Sequence, residues 1–178
     1  ARVLKSKRFR HSFGIGVGFL RDIAGTLNFG QRQIFASLSY NKQIQKNNNH
    51  FISIGLQLNN AYWSYDATNA DFGQIPSDWE GLYLSNLSYN DLSLGFHWQI
   101  EPQEMQTLSA GAAIFHINTP SLSFLDEYTL NDLRLKPRYY TYVNYLFPTT
   151  EQTSLQLTAN LSQQNDNYEF IIGGFCNI

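Results

Sequence analysis

Leu92, Leu94, Phe96, Trp98 and Ile100 alternate strictly with Asp91, Ser93, Gly95, His97 and Gln99. Successive side chains of an extended strand point to opposite faces, so this stretch reads as a strand lying between an apolar and a polar medium. The pattern recurs along the chain in segments of about ten residues, the length a tilted strand needs to cross a bilayer. Few folds accommodate such a repeat without helices between the strands. An antiparallel transmembrane β-barrel is the leading expectation.

Seven more segments carry the same signature. Phe13, Ile15, Val17 and Phe19 oppose Ser12, Gly14, Gly16 and Gly18 over about residues 11 to 20, and Ile34, Ala36, Leu38 and Tyr40 mark a strand over 31 to 42. Ile52 to Leu58 follows, after a turn at Asn47, Asn48 and Asn49, because Asn tolerates left-handed backbone. Later strands are marked by Leu108 to Ile114, Tyr139 to Phe147, Leu155 to Leu161 and Tyr168 to Ile172. About eight strands are thus expected, in a single domain over residues 1–178.

The connections alternate in length, as membrane barrels put short turns on the periplasmic side and longer loops outside. With the basic segment Arg2, Lys5, Lys7, Arg8 and Arg10 read as a solvated inside turn or tail, the inside connections are 43–50, 101–106 and 148–152. The outside ones are 21–30, 61–90, 118–137 and 163–167, two of them long, and 61–90 is read as a structured aromatic loop. Phe19, Tyr40, Trp63, Trp98, Tyr139, Phe147 and Tyr168 suit interfacial girdles. Leu92 to Ile100 then runs from outside inward with its apolar row toward lipid.

Composition excludes several function classes. A net charge of −2 gives no whole-chain reason to expect nucleic acid. The one cysteine, Cys176, rules out an internal disulfide and reads as a strand residue. Mean hydropathy of −0.32 is uninformative, since a barrel strand gives half its residues to the lumen. The chain opens without a signal-peptide pattern and is expected to be mature, processed or incomplete. Gly14, Gly16 and Gly18 lie inside a strand rather than in a strand-to-helix turn, and so read as small lumen residues rather than a phosphate loop.

No catalytic, cofactor or metal constellation is expected. His11, His50, His97 and His116 fall in separate segments without a second ligand at metal spacing. The loop carboxylates Asp66, Asp71, Asp78, Glu80, Asp126 and Glu127 lack a calcium-loop pattern and read as solvated charges. No G-x-S-x-G elbow occurs.

The ordered set K-S-K-R, F-G-I-G-V-G-F-L, R-D-I-A-G-T-L-N, Q-I-F-A-S-L-S-Y, F-I-S-I-G-L-Q-L-N-N-A-Y, S-L-G-F-H-W-Q-I, I-F-H-I-N-T-P-S, R-Y-Y-T-Y-V-N-Y-L-F-P and N-Y-E-F-I-I-G-G-F resembles the PorP/SprF family, over most of residues 5 to 175. The resemblance implies a bacterial outer-membrane barrel of the type IX secretion and gliding machinery of Bacteroidetes. It further implies a non-enzymatic role in helping secreted proteins or adhesins reach or stay at the surface, with outer-membrane lipid and other secretion or gliding components as partners. Family members usually carry strands at both ends that are missing here, so part of a larger barrel is expected. Two alternatives stay open. Gln57, Asn59, Gln99, Gln156 and Asn160 on one parity suit a transport pore. A soluble lipocalin-like barrel would turn the same apolar rows inward.

Overall fold

The computed structural model describes residues 2–5, 11–24, 29–45, 49–66, 84–103, 106–122, 134–150 and 153–177. They form one antiparallel sheet of nine strands in sequential order, each strand paired only with its chain neighbours. The strands are β1 (Arg2–Lys5), β2 (His11–Ala24), β3 (Phe29–Gln45), β4 (His50–Asp66), β5 (Leu84–Gln103), β6 (Gln106–Phe115), β7 (Arg138–Pro148), β8 (Ser154–Gln164) and β9 (Asn167–Asn177). The eight segments marked by alternation are the eight long strands. The short ninth, β1, pairs with β2 from Arg2 opposite Ile15 to Lys5 opposite Ser12, so the basic segment read as a turn or tail begins as a strand. Lys7, Arg8 and Arg10 lie outside the described residues. β1 and β9 are not paired with each other, and the sheet is open.

Which face looks outward decides between the two barrel readings. On β2 the apolar residues Phe13, Ile15, Val17 and Phe19 are all exposed, Val17 at 81%, whereas Ser12, Gly14, Gly16 and Gly18 are half-covered. The same holds on β3, where Ile34 and Leu38 are exposed and Gln33, Ser37 and Ser39 are not, and on β4, where Ile54, Leu56 and Leu58 are exposed while Gly55 and Gln57 are not. The curled sheet therefore wraps its polar face and turns its apolar face out. A soluble ligand-binding barrel requires the reverse, and that reading is overturned. Such an exposed apolar surface is stable against hydrocarbon rather than water.

The apolar rows also give the strand tilt. One line of cross-strand partners runs Phe13, Tyr40, Ile54, Phe96, Ala112, Thr141, Leu161 from β2 to β8. On β2 this line meets the inner end of the apolar run, six residues before Phe19, while on β8 it meets the outer end, Leu161. The apolar band thus slips about 20 Å along the strands while crossing about 29 Å of sheet, a tilt of about 35°. On β5 the band from Leu92 to Ile100 covers about 27 Å of strand, or about 22 Å of height at that tilt, close to the band of an outer-membrane barrel.

Curvature on the inner face is accommodated at glycines. The Tyr142 ring of β7 lies across Gly111 of β6 to reach His97 of β5, with 2.5 Å between the hydroxyl and Nδ1. A Cβ at Gly111 would collide with that ring and stand 2.9 Å from the Phe96 carbonyl oxygen. A side chain at Gly18 would likewise enter the Phe35 ring. Of the three glycines read as small lumen residues, Gly18 leaves room for the Phe35 ring, whereas Gly14 and Gly16 stand against the hydroxyls of Ser39 and Ser37.

The left-handed Asn expected in the 47–49 turn is found at Asn49, and Asn47 and Asn48 lie outside the described residues. Asn49, in the β3–β4 turn, has φ 43°, and Asn165, in the β8–β9 turn, has φ 53°, both in the left-handed region that Asn tolerates. The β7–β8 turn is tied by the Thr149 and Thr150 amides, which donate to the Thr153 carbonyl at 2.9 and 3.1 Å. Pro102 lies within β5 beside a register shift rather than in the turn, because a bulge there frees the ladder from needing its missing N–H.

Candidate functional site: a ribbon beyond the apolar band

Residues 61–90 depart from the expected loop. β4 runs on to Asp66 and β5 starts at Leu84, paired without interruption from Asn60 opposite Asn90 to Asp66 opposite Leu84. Only the middle of the loop, residues 67–83, lies outside the described residues, and with it Asp71, Asp78 and Glu80. The aromatic loop is to that extent a two-stranded ribbon.

The alternation there inverts rather than vanishing. Below Asn59 and Asp91 the outward positions are apolar: Leu58, Leu56, Leu92 and Leu94. Above them the outward positions become Asn60, Tyr62, Ser64, Asn86, Ser88 and Asn90, polar but for the amphipathic Tyr62, and the inward ones Ala61, Trp63, Leu87 and Tyr89. Ala61 is 0% and Leu87 9% exposed. A ribbon with a polar outer and an apolar inner face stands in water. The flip therefore marks where β4 and β5 leave the bilayer.

The inner apolar face is an aromatic cluster. Trp63 meets Tyr89 edge-on with ring centroids 5.7 Å apart, and Phe29 meets Trp63 at 6.0 Å. Trp63 was expected in an outward girdle but lies in the inward row opposite Gln31 and Leu87, because the phase inversion moves it to the other face. Phe19, Tyr40, Trp98, Tyr139, Phe147 and Tyr168 do lie on the outward face. Pairs such as Phe13 with Tyr40 at 5.2 Å and Tyr145 with Phe147 at 5.2 Å line the inner end of the band.

Beneath the cluster sits Asp91, only 6% exposed, with His116 Nδ1 3.0 Å from its Oδ2 at ion-pair distance but without hydrogen-bond alignment. His116, the first residue after β6, has φ 59°, a left-handed conformation. The Ile117 amide donates to the Leu92 carbonyl at 3.0 Å. Asn118 replaces a strand residue: its Oδ1 accepts from the Leu92 amide at 3.0 Å and its Nδ2 donates to the Asn90 carbonyl at 2.6 Å. The start and end of the second long connection then pair, with Ser121 bridged to Arg134 and the Leu135 amide donating to the Pro120 carbonyl at 2.9 Å. Both long connections therefore rise from ordered stems at the same end. Asp126 and Glu127 lie outside the described residues.

The four histidines meet four different partners. His11 faces the Tyr40 hydroxyl at 2.6 Å, His50 meets Trp98 edge-on at 6.3 Å, His97 contacts Tyr142, and His116 faces Asp91. Gln57, Asn59, Gln99, Gln156 and Asn160 all fall on the inward face. Among the described residues, no three His, Cys, Asp or Glu side chains gather to hold a metal ion. Cys176 is exposed on the outward row of β9, opposite Leu155.

A family model described as type IX secretion system membrane protein PorP/SprF matches residues 3–174. The chain belongs to the PorP/SprF family. No curated protein and no solved structure matches it. PorP/SprF is a family of membrane components of a secretion machine rather than of enzymes, and membership implies contact with other type IX secretion components. In this PorP/SprF chain the outward apolar band supplies the membrane surface, and the β4–β5 ribbon continues beyond it.

Proposed function

We propose that this PorP/SprF chain works in the bacterial outer membrane as a non-enzymatic recognition component of type IX secretion, helping secreted surface proteins or adhesins to reach or remain at the cell surface. The match over residues 3–174 carries the secretion role. The ribbon supports the recognition role: it extends β4 and β5 past the apolar band, with Trp63 and Tyr89 packed on its inner face. Short connections at one end and the long ones at the other support the long ends being extracellular.

We further propose that the nine strands are part of a wider barrel, closed by further strands at β1 and β9. An unpaired strand edge in hydrocarbon costs several kcal/mol for each bare N–H or C=O. Two such edges would exceed the stability of a whole domain. Ile171 and Phe175 also give β9 apolar residues on its inward parity, 48% and 56% exposed, which calls for cover there.

Affinity purification from native membranes tests the recognition role. Type IX components and secreted surface protein should be recovered with the wild type. A variant carrying Trp63→Ala and Tyr89→Ala should keep the machinery and lose the secreted protein. Recovery of neither class with the wild-type chain overturns the reading. A transport pore is favoured only by the polar inner face, and a closed lumen in planar-bilayer conductance would remove it.

A further inference from the structure

Arg21 of β2 and Arg32 of β3 stand directly opposite each other in the antiparallel register. Both are exposed on the outward face, one step beyond Phe19 and Ile34, which are 64% and 59% exposed. The next partner along this line is Tyr62 of β4, whose ring lies 5.6 Å from the Arg32 guanidinium carbon, and the line ends at Ser88. Two cations and an aromatic therefore form a row along the rim of the apolar band, on the side of the long connections.

That arrangement is costly if left as it stands. Like charges at directly opposed positions of a strand pair repel, their Cβ atoms being only about 5 Å apart. Among the described residues, neither arginine has a carboxylate at ion-pair distance. The strand carboxylates with described side chains, Asp22, Asp91, Glu101 and Glu169, lie on the inward parity or bond to inward-facing groups. The cations thus look out and the acids look in.

We infer that Arg21, Arg32 and Tyr62 form a binding site for the phosphate of a membrane-lipid headgroup, specifically a phosphorylated glycolipid of the leaflet facing the long connections. A guanidinium offers paired N–H donors that match phosphate oxygens, and two long arginine side chains on opposed strand positions are within reach of one phosphate. Tyr62 supplies a ring face to one guanidinium and an amphipathic body suited to the headgroup level. The acyl chains of a lipid so held run down over Phe19, Val17, Ile34 and Ala36, the row beneath the arginines. A free phosphate would gain only the polar half of this site.

The choice of leaflet rests on the outer-membrane reading above; the phosphate site rests on the register. The test uses the full chain purified in a mild detergent. Bound lipid is counted by native mass spectrometry after addition of lipopolysaccharide, phosphatidylethanolamine or inorganic phosphate. Lipopolysaccharide should bind best, and Arg21→Gln with Arg32→Gln should weaken it at least about tenfold. Lys42→Gln, at the other end of the band, should leave it unchanged, and Arg→Lys at both positions should restore it only partly because the fork is lost. Binding by the double glutamine variant equal to wild type overturns the site. Equal binding of inorganic phosphate overturns the lipid assignment. If membrane fractionation places the chain outside the outer membrane while the glutamine variants still lose phospholipid, the location fails and the phosphate site stands.

Discussion

Placing an arginine at Phe96 tests the outward assignment of the apolar face most directly. Phe96 lies at the middle of the Leu92–Ile100 run on β5, is 45% exposed, and points outward in line with Ile54 and Ala112. At the bilayer midplane an arginine costs about 2–4 kcal/mol, and near the interface about 0–1 kcal/mol. Asn90 is on the same face, six residues further out. At a tilt of about 35° that is about 16 Å higher, outside half of a band about 25 Å tall. Phe96→Arg should therefore lower the folding equilibrium constant by about 30- to 1,000-fold, and Asn90→Arg by less than about sixfold. Gln57→Arg, on the inward face at similar depth, should also stay within about 1 kcal/mol, since lumen substitutions tune the channel rather than the lipid contact. Urea unfolding of the full chain in phospholipid vesicles gives all three numbers, with heat modifiability on gels as the check of folding. Equal costs at Phe96 and Asn90, or a larger cost at Gln57 than at Phe96, would refute the inside-out assignment.

Gly111→Val should destabilise by about 1–3 kcal/mol, because the new side chain meets the Tyr142 ring, and adding Tyr142→Ala should recover part of the loss in the same unfolding assay. Asn49→Val should cost about 1–2 kcal/mol through its left-handed backbone, while Asn49→Gly stays near neutral. Asn118→Ala removes two of the three hydrogen bonds that tie the start of the β6–β7 connection to β5, leaving the Ile117 amide bond, so limited proteolysis of that connection should accelerate while the strands stay resistant. Leu87→Asp, burying a charge in the aromatic cluster, should expose the β4–β5 connection to protease without changing the amount of barrel in the membrane.

What the sequence discloses and what it hides have the same physical origin. Strands with lipid on one side and a polar interior on the other write that contrast as period-two alternation, so Phe13 to Phe19 or Leu155 to Leu161 can be read at once. Residues 60–64 and 86–90 have water outside and aromatic packing inside. Their alternation therefore runs in opposite phase, and a reading that expects one phase throughout takes the change for a loop. Trp63 was assigned to the wrong face for that reason. The signal that could have found it is local: Asn60, Ser64, Asn86, Ser88 and Asn90 hold the parity that Leu56, Leu58, Leu92 and Leu94 hold further along. β1 is four residues, too short for any period to register. The Asn118 clamp and the left-handed His116 depend on where β5 lies beside β6, which no single segment encodes.

The inversion also limits how a partner can engage the protein. It occurs on β4 and β5 at one end only; toward the other end the outward row stays apolar down to Ile52 and Ile100, beside the short turns. From Asn60 to Asp66 the ribbon climbs about 20 Å of strand, or about 16 Å of height at the same tilt. The ribbon's far end at Asp66 and Leu84 thus stands well above the headgroups, and a protein gripping that end need not touch lipid. A segment entering the interior from this end instead meets the row of Phe29, Trp63 and Tyr89 first and Gln57, Ser93 and the Asp91–His116 pair further along. These routes separate experimentally. Cargo held by the connection should be released by clipping residues 67–83, whereas cargo held in the interior should survive that clipping.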